Sequence, residues 1–132
     1  MLDDVLGGFI GGLLGGRLSR RMSDRSADRL QSEGAVRSGL RILDGIVPGE
    51  RLCAEWRHGT ARLAPGLIQL DGISVQVRAV DATAIRQPTF RETWSSVDPD
   101  SRIVRVQTES ATLEWAIPER QFDWAIHEAT PG

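Results

Sequence analysis

The sequence predicts an α+β chain that is mostly β. An N-terminal helix comes first, then six or seven antiparallel strands in a barrel or curled sheet, closed by a C-terminal helix. Three observations predict it. From Arg51 onward, apolar residues recur at every second position in several runs, as in strands with one buried face. Two such runs are joined by "LDGI", Leu70 to Ile73, whose Asp-Gly pair is the strongest short hairpin signal. In the last turns the period changes, with Phe122, Ala125, Ile126 and Ala129 on one helical face.

The 132 residues suit one domain of about 80–100 residues plus an appendage. The expected division is an apolar glycine-rich segment over 1–18, a basic helix and linker over 19–49, and the β-rich domain over 50–132. In the first segment Gly7, Gly11 and Gly15 stand four apart, and Gly8, Gly12 and Gly16 widen the same stripe. Val5, Leu6, Phe9, Ile10, Leu13 and Leu14 fill the remainder. In water, six glycines cost a helix roughly 5–6 kcal/mol relative to alanines, which favours a flexible tail. In lipid, helix is the conformation that satisfies the backbone, and small residues every fourth position let two helices approach closely. This run resembles the glycine-zipper segments of small bacterial membrane proteins. Twelve residues give about 18 Å of helix against a hydrocarbon core of about 30 Å. An inserted, interfacial or self-associated segment fits better than a lone span. Asp3 and Asp4 precede the apolar run while Arg17, Arg20 and Arg21 follow it, the reverse of a signal peptide.

Every basic residue is Arg, and the net charge is −2. Its distribution is uneven: Arg17 to Arg41 is basic, and the chain from Glu50 onward is mildly acidic. Arg20 with Asp24, Arg25 with Asp28 and Arg29 with Glu33 have the spacing of surface ion pairs on a solvated helix. Arg17, Arg20, Arg21 and Arg25 beside an apolar anchor suit anionic headgroups. If the segment inserts, these arginines stay on the cytoplasmic face of the plasma membrane. No aromatic residues interleave with them, so nucleic-acid binding is not expected. The stretch Ile42 to Glu50 reads as a linker.

Strands follow around Leu52–Trp56, Ile73–Ala79, Val104–Val106 and Ala111–Ile117, with turns at "RHGT", "APG", "DPDS" and "TESA". Trp56, Phe90, Trp94 and Trp115 fall on the inward phase of their runs and are expected to fill the core, a ligand cleft lined by some of them being the alternative. Pro118 suits a first helical position, followed by Glu119 and Asp123 where the dipole favours acid.

This order of strands with a closing helix that carries Trp124 resembles the pleckstrin-homology-like barrel. A β-sandwich or an open sheet with a helix across it is the structural alternative. "WRHGTARL" (Trp56 to Leu63) and "LEWAIPERQFDWAIHEA" (Leu113 to Ala129) are similar to an uncharacterised actinobacterial family of small, N-terminally membrane-anchored proteins. That resemblance implies a location and carries no activity.

The residues that perform chemistry are few. His58 reads as a turn residue and His127 as a dipole partner near a helix end. No Cys/His cluster suits a metal, Cys53 is the single thiol, and Asp98 and Asp100 fit a turn better than a calcium loop. No cofactor and no catalytic residue is expected. Arg51, Arg57 and Arg62 lie where lipid-binding barrels carry cations, but the tight turn and the lack of Lys argue against phosphoinositide recognition. The expected function is a non-catalytic, membrane-associated or self-assembling adaptor, joined to lipid or a partner helix and able to form a homo-oligomer. The alternative is a soluble, small-ligand-binding β-barrel with a flexible glycine-rich tail.

Overall fold

A computed structural model describes residues 25–132. Gly7, Gly8, Gly11, Gly12, Gly15, Gly16, Arg17, Arg20 and Arg21 lie outside the described residues. Residues 25–32 are helical (α1), and Arg25 is exposed on it. A second compact unit runs from Gly34 to Gly132.

That unit is one antiparallel sheet with a C-terminal helix. Its strands are β1 (Ala35–Gly45), β2 (Arg57–Ala64), β3 (Leu67–Leu70), β4 (Ile73–Gln76), β5 (Ala79–Arg86), β6 (Ser101–Gln107) and β7 (Ala111–Pro118). A short helix α2 (Phe90–Trp94) joins β5 to β6, and α3 (Phe122–Ala129) follows a 3₁₀ turn at Glu119–Gln121. The strand order is β4-β3-β2-β1-β7-β6-β5, so β4 and β5 are the two ends and the sheet does not close into a barrel. The barrel is corrected to an open sheet carrying a helix, the arrangement given above as the structural alternative.

The long strand β1 unites the sheet. Its first part pairs with β2 (Ala35 opposite Arg62, Leu40 opposite Arg57), and from Gly39 to Gly45 it pairs with β7. The register shifts between Ile42 and Asp44, so the extra residue Leu43 bends the strand as a bulge does. One core cluster then gathers Val36, Ile68 and Val75 with Val106, Leu113 and Phe122, from both halves of the sheet. At the inner position Ser38 the hydroxyl accepts from the buried Trp115 Nε1 at 3.0 Å, which satisfies both polar groups. Helix α3 lays Phe122, Ala125 and Ala129 on this core. Its end is tied to the β2–β3 turn, where the Gly66 N–H donates to the Ala129 carbonyl at 3.0 Å.

Several local expectations hold. Asp71 and Gly72 have φ of 43° and 88°, as a two-residue type I′ hairpin between β3 and β4 requires. The "APG" and "TESA" turns connect β2 to β3 and β6 to β7. Others are corrected. The stretch read as a linker contributes residues 42–45 to β1, so the folded unit begins at Gly34 and not at Glu50. Residues 51–56 form no strand, and "RHGT" is no turn but the start of β2, with His58 paired to Gly39. Pro118 ends β7 and precedes the 3₁₀ turn, so α3 starts four residues later than its proline suggests. Among the described residues no helix is long and apolar enough to cross a membrane.

Candidate functional site

The outer face of the central strands carries a layer of its own. Alternation puts Leu113, Trp115 and Ile117 of β7 inward, which turns Glu114 and Ala116 outward. Both are nonetheless buried. Ala116 packs with Ile103, Val97 and the partly buried Trp56. Glu114 stands opposite Arg41 on β1 in the sheet register, where a cross-strand cation meets a carboxylate directly.

Charge builds outward from there. Arg41 Nε donates to Glu114 Oε1 at 2.9 Å. Arg86, at the end of β5, donates from Nε to Glu114 Oε2 at 3.1 Å and from Nη2 to Oε1 at 2.9 Å. The same guanidinium grips Glu92 on α2 through two bonds of 2.7 Å each, the bidentate geometry that Arg alone offers. Glu92 also accepts from Trp56 Nε1 at 3.2 Å and from the Thr89 backbone at 2.9 Å. Thr89 Oγ1 in turn accepts from the Glu92 N–H at 3.2 Å, completing a capping box that sets where α2 begins. Arg41 lies 5.3 Å over the Trp56 ring, and Trp56 stacks on His58 with centroids 6.3 Å apart. Both rings cross Gly39, where an added Cβ would come within 2.8 Å of His58 Nδ1.

The electrostatics follow from these contacts. The paired guanidinium of Arg86 holds Glu92 down to about 2. Burial pushes Glu114 up, but hydrogen bonds from Arg86 and Arg41 outweigh it and leave the group below its ordinary value. Arg86 is raised by its bonds to Glu92 and then Glu114. Every carboxylate oxygen of the pair accepts a hydrogen bond from a cation or a fixed donor. Such a network holds charge in position and is poorly suited to passing a proton at neutral pH.

What it holds is α2. Phe90 and Trp94 are each 77 % exposed, in edge-to-face contact with centroids 5.8 Å apart. Their expected core position is overturned: of the four aromatics read as inward, Trp115 is buried, Trp56 is half-buried against the outer layer, and these two face solvent. The segment that carries them contains Thr89-x-x-Glu92 after Pro88, a helix-start signal present in the sequence.

Beside this layer an open pocket of about 450 Å³ is lined in part by Arg37, Gly39, His58, Ser96, Asp98 and Ser101. Ser96 has φ of 78°, left-handed backbone that is uncommon for a residue other than glycine. Asp98 Oδ1 accepts from the Asp100 N–H at 2.9 Å, consistent with the turn expected there. His127 is exposed in the last turn of α3, and Cys53 is exposed. Comparison of the chain with protein-family models, curated sequences and solved structures finds no match.

Proposed function

We propose that this chain is a non-catalytic interaction protein, anchored through its N-terminal segment and presenting the Gly34–Gly132 unit at the cytoplasmic face of the plasma membrane. The observation that carries this reading is the outer ionic layer, which fixes a short helix so that two large aromatics face outward. A protein orders exposed aromatics at the cost of solvation, and contiguous apolar exposure marks a contact surface. The zipper pattern of Gly7 to Gly16 and the arginines behind it support an anchored or self-associated state of the same chain.

The fold supports a finer reading, a pleckstrin-homology-like unit that remains open at one seam. The meander of four strands (β1 to β4) joins the meander of three (β5 to β7) where β1 pairs with β7, and a C-terminal helix lies on the common core. Such units are scaffolds for contacts.

The test is fractionation of the full chain beside one beginning at Gly34. A start at Glu50 would delete β1 from the middle of the sheet. Membrane recovery of the full chain alone is expected, and equal solubility of both would reject the anchor. Cys53 is exposed, so an impermeant thiol reagent should label it only after cells are permeabilised. The pocket beside His58 favours a second reading, a binding site for a small polar ligand. A ligand screen by thermal shift, with Arg37→Ala as control, separates it from the first.

A further inference from the structure

We propose that Phe90 and Trp94 form a wedge with which the folded unit itself enters the headgroup region of an anionic bilayer. This second contact rests on the anchored reading above. Four observations carry it.

The first is the orientation of charge on α2. The segment from Gln87 to Val97 has one acid and one base, Glu92 and Arg91. Glu92 is turned inward, with 11 % of its side chain exposed, and is neutralised by Arg86, while Arg91 faces solvent. The outward surface is therefore two aromatics and one cation, the composition that suits a negatively charged interface. The second is size. Two aromatic side chains offer about 150–250 Å² each, well short of the roughly 800 Å² per partner that a stable protein interface buries. The third is rigidity. The capping box and the Arg86 fork fix α2 before contact, so little ordering entropy remains to be lost. The fourth is reach. With residues 25–32 helical, the chain from 17 to 33 spans at most about 45 Å. An inserted zipper would hold the unit close enough for a weak contact to be occupied.

The experiment uses the full chain with vesicles of phosphatidylcholine, with and without phosphatidylglycerol, and matched vesicles carrying brominated acyl chains. The difference in emission between the wild type and Trp94→Phe isolates Trp94. On anionic vesicles the protein should float, and brominated lipid should remove most of the Trp94 signal. Arg91→Glu should reduce that quenching on anionic vesicles and leave it unchanged on neutral ones. Flotation with Trp94 unquenched and open to acrylamide overturns the wedge while leaving the anchor intact. Failure to float on either composition overturns both. A solution dimer that Phe90→Ser dissociates, with Trp94 unquenched on vesicles, assigns the aromatics to a protein interface and overturns the wedge. Near-UV circular dichroism shows that each variant keeps its fold.

Discussion

The two helices of the folded unit, α2 and α3, carry the same kinds of residue and use them in opposite ways. Helix α3 buries Phe122 and two alanines against the inner face and leaves Asp123 and His127 outside. Helix α2 turns Glu92 inward and leaves Phe90 and Trp94 outside. The difference lies in what each helix rests on. The inner face below α3 is almost wholly apolar, whereas the outer face below α2 presents Arg41, Arg86 and Trp56 around Glu114 and Glu92. A helix turns toward its support whatever that support prefers, and amphipathicity read without the support gives half the answer.

The comparison breaks most visibly at α3. Phe122→Ala should lower stability by about 3–5 kcal/mol, a core truncation, read from the urea midpoint. Next comes the ionic layer. Arg86→Met leaves Glu92 without its cation and Glu114 with Arg41 alone, and should cost about 3 kcal/mol, measured in the same way, with tryptophan fluorescence reporting release of α2.

Acid should separate the helices further. Folding lowers Glu92 from 4.5 to about 2, and Glu114 is lowered as well. Their stabilising contribution is complete above 4.5 and is lost as pH falls toward 2. The stability gap between wild type and Arg86→Met should therefore narrow across that window, and a constant gap would mean that the layer is not ionic in effect. A smaller change is expected from Thr89→Ala, about 1 kcal/mol from loss of the cap. Smallest is Phe90→Ala, within about 0.5 kcal/mol. A larger value there would show Phe90 to be packed in solution.

These contrasts also explain how far the sequence could be read. The hairpin at Asp71-Gly72 was legible because its turn chemistry is local. The strands β4, β6 and β7 were legible because their inner residues alternate, although the run read from Ile73 to Ala79 ends as a strand at Gln76. β1 was not: Ser38 breaks the apolar phase on the inside, while Ala35 and Gly39 are buried on the outside, so no clean period of two survives. Phe90 and Trp94 misled for a different reason. Residues four apart share a face in strand and helix alike, and the capping signal of Thr89 and Glu92 is what distinguishes the two. Glu114 gave no signal at all, since an acid at an outer position reads as solvated until Arg86 arrives from 28 positions away.

The shared strand β1 also dictates a timetable. Of the seven described strands β1 is the first to leave the ribosome and β7 the last, yet they are neighbours, and the Ser38–Trp115 bond joins residues 77 positions apart. Closing so long a loop before its contacts form is slow, as for other chains dominated by distant pairings. During synthesis β1 can meet β2, but its other edge stays unpaired until β7 is made. That edge is a template for a neighbouring nascent chain. The charged Arg41 and Asp44 along β1 are residues that oppose such mispairing.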